Sequence, residues 1–304
     1  MPIKFKEVSY IYSPKTPYQY QALTNITVEI PDNKVVAIIG ETGSGKSTLI
    51  QHINGLLIPS SGEVFVNDFL IKARKKKIKN IKEIRKQIGL VFQFPEYQLF
   101  EETVEKDVMF GPVNFGTKKD QARALARKYV KMVGLDEDYL TRSPFDLSGG
   151  QKRRVAIAGI LALQGNTLIL DEPTAGLDPD GEKELLKLFV NLNKAEKKSI
   201  VLVTHNMNHV LEVADEVIVL HNTKILTQGD PITIFKNQGL IARTGIEPPK
   251  IYDFIYHLQA EGFDTSKITA RSTNQLIDQL AEILNKNQKD KENQTEKEKE
   301  EYES

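Results

Sequence analysis

Residues 35–48 read VVAIIGETGSGKST. Val35 to Ile39 is an unbroken apolar run bounded by Asp32-Asn33 and Gly40, the pattern of a short strand buried on both faces, which suits a parallel sheet. Gly40 to Thr48 (GETGSGKST) then fits G-x-x-x-x-G-K-[ST] directly behind that strand, the context the motif requires. Glycines let the backbone fold into a nest whose N–H groups converge on phosphate oxygens, and the helix that follows adds its positive end. Gly40, Thr42, Gly43, Ser44, Gly45, Lys46, Ser47 and Thr48 are therefore candidate nucleotide contacts. Lys46 is expected to reach the β- and γ-phosphates, and the Ser47 hydroxyl to ligate Mg2+.

Two further buried runs lie downstream, Thr167 to Leu170 (TLIL) and Ile200 to Val203 (IVLV). Between them, Leu185, Leu186, Leu188, Phe189 and Leu192 repeat at helical spacing within Glu182 to Lys197. Strand, helix and strand at that distance form a βαβ unit, so the fold class is α/β with a parallel sheet. Asp171 and Glu172 stand at the end of the first of these strands, where α/β sheets meet their ligands. Asp171 can hold Mg2+ through its water shell, and Glu172 is placed to orient and deprotonate an attacking water. His205 follows the second strand and can donate to a γ-phosphate. His52, His209, His221 and His257 have no such placement and read as ordinary surface or core residues. Alternation in Ile3, Phe5 and Val8, then in Leu23, Ile26, Val28 and Ile30, predicts two early strands split by the polar stretch Ser13 to Gln21. Lys118 to Val133 predicts a helix with Ala122, Leu125, Ala126, Tyr129 and Val130 on one side.

The 304 residues carry 41 Lys+Arg against 41 Asp+Glu, so no chain-wide field points to nucleic acid. No cysteine is present, which removes disulfides, thiolate nucleophiles and Cys-ligated metals. The longest apolar run, Val155 to Leu163, is about half of the roughly 18 residues a membrane span needs. With no apolar signal core at the start, a soluble intracellular protein is expected. Charge is nevertheless uneven. Residues 71–87 hold nine Lys/Arg and one Glu and read as a solvated loop; residues 286–304 hold five Lys and seven Asp/Glu and read as a disordered tail.

Leu147 to Ala158 reads LSGGQKRRVAIA. Ser148, Gly149 and Gly150 make a second small-residue nest at a helix start, suited to a γ-phosphate. LSGGQ resembles the signature motif of ATP-binding cassette (ABC) ATPases. Its order and spacing relative to the phosphate loop and LILDEP match that family over roughly residues 3–240. The resemblance implies a RecA-like parallel-sheet core, an antiparallel β subdomain and a helical signature subdomain, here with a small C-terminal helical extension. It also implies that Gln93 senses Mg2+ and the attacking water, that Asp178 couples two sites, and that Tyr12 stacks on adenine, with Tyr10, Tyr18 and Tyr20 competing. Each ATP is then sandwiched between the phosphate loop of one cassette and Ser148, Gly149, Gly150 and Gln151 of another.

Leu90 to Gly116 (LVFQFPEYQLFEETVEKDVMFGPVNFG) is similar to the ATPases of energy-coupling factor (ECF) transporters, which import vitamins and metal ions, and DEPTAGLDP with LSGGQKRRVAIAGILA favours their second paralogue. That resemblance implies a peripheral ATPase on the cytoplasmic face of a membrane, working with ATP and Mg2+. Its expected partners are a second such ATPase, a transmembrane coupling subunit docking at Gln98, Glu101 and Glu102, and a substrate-binding membrane subunit. The expected organisation is a cassette over residues 1–242, a helical dimerisation extension over 243–285 and the tail. In the extension, Ile251, Phe254, Ile255 and Leu258 mark one amphipathic helix, and Leu276, Ile277, Leu280, Ile283 and Leu284 a second. Another type of ABC importer is the alternative. Two-cassette translation factors, coiled-coil repair ATPases and small-molecule kinases fit less of the sequence.

Overall fold

The computed structural model describes residues 2–73 and 77–285. The chain opens with strands β1 (Ile3–Tyr12), β2 (Tyr20–Ile30) and β3 (Val35–Ile39), then helix α1 (Lys46–Ile53). Strands β4 (Ser61–Val66) and β5 (Phe69–Lys72), helix α2 (Ile81–Gln87) and strand β6 (Ile88–Val91) follow. Helices α3 (Val104–Asn114), α4 (Lys119–Met132) and α5 (Gly149–Leu161) lead into the alternation β7 (Thr167–Asp171), α6 (Pro179–Glu196), β8 (Ser199–Val203), α7 (Met207–Val213) and β9 (Glu216–His221). After strand β10 (Lys224–Gly229) come α8 (Pro231–Lys236), α9 (Gln238–Thr244), α10 (Lys250–Ala260) and a further helix over residues 273–285.

Among the described residues the strands form two sheets. An antiparallel one runs β2-β1-β4-β5, and a six-stranded one runs β10-β9-β3-β8-β7-β6. Only β10 departs from parallel pairing in the second, where it closes a hairpin with β9. β3, β7 and β8 are buried at every residue, as strands covered on both faces are, with polar residues only at the ends of β7 and β8. Register then decides what meets at the sheet edge. Val203 pairs with both Ile38 and Asp171, and Leu170 pairs with Val91, so β3, β8, β7 and β6 end level with one another.

Helices α3, α4 and α5 bury Val104, Val108, Ala126, Tyr129, Val130, Val155 and Leu161 in one core. The predicted helix over 118–133 is α4, and its buried face is Ala122, Ala126, Tyr129 and Val130 as expected. Helix α6 starts earlier than its apolar repeat, because Asp178 caps it by accepting from Gly181 N at 2.7 Å and Pro179 occupies the first turn.

Of the basic segment, only residue 73 and residues 77–80 among those described form the loop its charge suggested. Ile71 and Lys72 belong to β5, residues 81–87 form α2, and Ile71 and Ile84 are buried beneath the cations. Two buried isoleucines suffice to fold the segment onto the body, while long Lys and Arg stems keep their charges in water. Residues 74–76 of that segment, and the tail 286–304, lie outside the described residues.

The chain divides into two compact units, residues 1–205 with 213–230, and residues 206–212 with the chain from 231 onward. In the second unit α10 buries Tyr252, Ile255 and Tyr256, whereas Phe254 is exposed. Of the face expected there, Ile255 is buried and Ile251 and Leu258 half-buried, so only Phe254 departs from it. Tyrosine supplies a large apolar ring with a satisfiable hydroxyl, and Tyr256 donates its own to Phe235 O. In the helix over 273–285, Leu276 is buried while Ile277 and Leu284 are exposed.

His52 lies wholly inside the first unit, packed edge-on against Tyr10. Its Nδ1 donates to Thr48 O at 2.7 Å, which leaves Nε2 buried without a partner among the described residues. Burial pushes its pKa from 6.5 down to about 4. Between those values the unfolded chain binds the extra proton, so stability is complete above pH 6.5 and falls as the pH drops toward 4. The loss amounts to about 3 kcal/mol. Denaturant titrations at pH 7 and pH 4.5 are expected to show a shallower acid dependence for His52→Gln than for the wild type.

Candidate nucleotide site

The four level strand ends deliver the phosphate loop, Asp171-Glu172, His205 and Gln93 to one edge of the parallel sheet. The loop, residues 40–45, turns on glycines, two of which leave no room for a side chain. Gly45 has φ +106 and its missing Cβ would lie 2.5 Å from Ala22 O; Gly40 has φ +152 and would meet Leu220 O at 2.2 Å. Gly43, at φ +83, has nothing around its Cβ position, so the loop is open on that side. Ser44 Oγ is buried and bonds to nothing among the described residues. Lys46 folds back on the loop, its Nζ donating to Gly40 O at 2.7 Å and Glu41 O at 3.0 Å. Burial lowers the Lys46 pKa, against the pull of Glu172, Asp171 and Glu41.

Asp171 is buried, and that burial raises its pKa, opposed by a hydrogen bond from Ser47. The two residues expected to share a cation are thus already joined. Among the described residues no group of His, Asp and Glu could enclose a metal on its own. Ser47 and Asp171 instead offer the sparse oxygen set that Mg2+ accepts when phosphates supply the rest.

Glu172 adopts φ +50, a left-handed backbone that costs a non-glycine residue about 1 kcal/mol or more. Neighbours hold it there. Its N–H donates to Val203 O at 2.9 Å, and its Oε2 lies 2.9 Å from Nδ1 of the exposed His205. The strain aims a carboxylate into the site from the end of a buried strand. Gln93 is exposed at the exit of β6, and Phe94 beside it is also left-handed, at φ +56.

The tyrosines sort by position. Tyr12 and Tyr20 are cross-strand partners. The Tyr12 hydroxyl lies 3.3 Å from the buried Thr48 Oγ1, and the Tyr20 hydroxyl donates to Gly43 O at 3.1 Å. Tyr10 packs against Tyr12 and His52, and Tyr18 is almost fully exposed. Thr48 is buried, with its Oγ1 beside the Tyr12 hydroxyl and its carbonyl accepting from His52 Nδ1. His221 is not the ordinary histidine expected from its sequence position. At the end of β9 its Nδ1 lies 3.2 Å from Glu41 Oε1 of the phosphate loop. Only the pairing of β9 with β3 brings them together.

The signature stands apart. Ser148 caps α5 through a reciprocal box with Gln151, whose Nε2 also donates to the Tyr139 hydroxyl at 3.0 Å. A Cβ on Gly149 would touch nothing, and one on Gly150 only Leu177 at 3.8 Å. Among the described residues, close packing does not require glycine at either position.

Around the expected docking residues, Gln98 and Glu102 are exposed and Glu101 half-exposed. Glu102 is paired with Lys106, which holds its carboxyl below the usual range. The larger surface is aromatic: Phe94, Tyr97, Phe100 and Phe110 are all exposed, and Phe100 meets Phe110 edge-on at 4.7 Å. Phe94, Tyr97 and Phe100 recur every third residue, a signal that acidic residues alone overlook.

Level strand ends, a phosphate loop, an acidic strand exit and a separate signature helix define the class, an ATP-binding cassette. The model of the ABC transporter family matches residues 23–175. The energy-coupling factor transporter ATP-binding protein EcfA2 of Spiroplasma kunkelii is 63% identical over 280 residues, 92% of this chain and 92% of that protein. The protein of that name from Enterococcus faecalis is 48% identical over 280 residues, 92% of this chain and 96% of that protein. Among solved structures, cbiO1 from Clostridium perfringens, part of the ABC transporter complex cbiONQ, superposes with a TM-score of 0.69 at 38% identity, covering 84% of this chain and 98% of that one. Dimeric MJ0796 bound to ADP and Pi gives 0.68 at 29% identity, covering 75% and 98%. The chain belongs to the ABC transporter family and, within it, to the energy-coupling factor transporter ATP-binding proteins.

Gly45→Ala combines a forbidden φ with a backbone clash. ATP affinity, measured by titration with a fluorescent analogue, is expected to fall at least tenfold.

Proposed function

We propose that this chain is the ATP-hydrolysing subunit of an energy-coupling factor importer, acting as one half of a heterodimer with a second ATPase of its kind. One observation carries the reading: Glu172 is strained into the site and held on His205, while among the described residues nothing stands within 4 Å of a Cβ on Gly149 and only Leu177 near one on Gly150. A signature built in that way is addressed to a nucleotide on another cassette.

The backbone of residues 40–45 and the Lys46 ammonium hold the β- and γ-phosphates. Lys46 must leave the carbonyls of Gly40 and Glu41 to do so, exchanging two neutral acceptors for charged ones. Tyr12, with Tyr20 beside it, offers an aromatic face to adenine. Glu172 accepts the proton of the attacking water and directs its oxygen in line with the leaving group; His205 orients Glu172 and donates to the γ-phosphate. Ser47 and Asp171, with Gln93, would hold Mg2+, and the cation would supply positive charge at the phosphate oxygens. ATP joins two cassettes and hydrolysis parts them, with Asp178 at the junction, because the γ-phosphate contacts holding the closed state are lost.

Among the described residues no helix is long and apolar enough to cross a membrane. Attachment to the cytoplasmic face is assigned to Phe94, Tyr97, Phe100 and Phe110 with Gln98, Glu101 and Glu102, which receive the transmembrane coupling subunit; a separate membrane subunit captures the solute. Pairing of the two ATPases is assigned to the second unit, where Phe254, Phe263, Ile277 and Leu284 are each exposed.

Glu172→Gln, assembled with its partners, is expected to bind ATP normally and turn over at least about a hundredfold more slowly; wild-type hydrolysis by that variant would remove Glu172 from its role. For the docking face, Tyr97→Asp with Phe100→Asp is expected to abolish co-purification with the membrane subunits in mild detergent. Glu102→Ala, whose charge Lys106 already offsets, should change recovery by less than about twofold.

A further inference from the structure

We propose that Arg153 is a positioning residue that ties the turn behind Gln93 to the loop bearing Glu172, so that the seating of the docking face sets the aim of the catalytic carboxylate. Arg153 lies on α5, immediately behind the signature, and its side chain is 4% exposed. Its Nε and Nη2 grip both oxygens of Glu96 at 3.1 and 3.0 Å, the side-on fork that only arginine makes. Glu96 lies in the short turn Pro95–Gln98, between the exposed rings of Phe94 and Tyr97. The guanidinium also stands 5.7 Å from the centroid of the Phe94 ring.

The remaining arm of the fork reaches a third segment. Nη1 donates to Ala175 O, and Ala175 N–H donates in turn to Glu172 O at 3.2 Å. One buried side chain therefore connects the aromatic docking turn, the signature helix and the turn that begins at Glu172. Both ends of the connection are left-handed, Phe94 at φ +56 and Glu172 at φ +50, so each is held in place by its surroundings rather than by its own preference. Stability is a poor reason for the arrangement, since a packed apolar pair of similar volume is often as stable as a buried ion pair. An apolar pair could not hold the Ala175 carbonyl, and motion of Glu96 would not reach the Glu172 turn.

The proposal rests on the reading of the chain as a docked ATPase. Its test uses the full chain assembled with its partner ATPase and membrane subunits, carrying Arg153→Lys, Glu96→Gln, or Arg153→Met with Glu96→Met. Arg153→Lys and Glu96→Gln are each expected to lower kcat for ATP hydrolysis at least tenfold, with KM for ATP within twofold of wild type, because neither touches the phosphate loop. The double methionine variant should be no slower than the worse single one, and should melt with the wild type. A rise in KM at unchanged kcat, losses that multiply in the double variant, or a kcat that falls only with the folded fraction would overturn the relay. Wild-type turnover in Arg153→Lys and Glu96→Gln would sink the relay alone. Absence of hydrolysis by the wild-type assembly would sink the ATPase reading and the relay with it.

Discussion

Two carbonyl oxygens close on the phosphate loop so tightly that its glycines cannot carry side chains: Ala22 O from β2 approaches Gly45, and Leu220 O from β9 approaches Gly40. One comes from the antiparallel sheet and the other from the parallel sheet. The loop is thus the seam where both sheets meet, and its curvature is imposed from both sides. Thr24 and Thr223 strengthen the same seam, with Thr24 N donating to Thr223 O at 2.9 Å and their hydroxyls 2.8 Å apart. A nest that donates N–H groups to phosphate must keep that shape when empty, and here packing of the two sheets keeps it.

Charge at the site follows from that rigidity. Lys46, Asp171 and Glu172 share a partly buried corner in which the ammonium is made more acidic and the Asp171 carboxyl less acidic than usual, in both cases by burial. Each charge lowers the cost of the other. Lys46 rests on its own loop's carbonyls and Asp171 on Ser47, contacts that a polyanion with its cation can replace one for one. The backbone strain at Glu172 belongs to the same design, because a relaxed residue at the end of β7 would continue the strand direction and point elsewhere.

Much of this was legible in the residues. Apolar runs marked β3, β7 and β8, because the middle of a strand covered on both faces leaves little room for polar side chains. The phosphate loop was legible because glycine spacing is a direct record of backbone geometry, and Asp171-Glu172 because ligands gather at strand ends. His221 beside Glu41, Arg153 on Glu96 and Ala175, and the exposed aromatic face were not legible. Each depends on residues more than 20 positions apart, or on which side of a turn faces water. The basic segment misled for a related reason: nine cations hide two isoleucines that decide where the chain lies.

By itself, then, the sequence determined the class of fold, the phosphate-binding chemistry and the family, since these are written in local periodicity and in residues at fixed short spacing. Tertiary structure alone decided which side chains share a corner. Parallel register set Val203 beside both Ile38 and Asp171 and so brought Glu172 onto His205 and Ser47 onto Asp171. Hydrogen-bond register between distant strands has no local signature, because backbone pairing is indifferent to sequence except through the side chains it happens to bury.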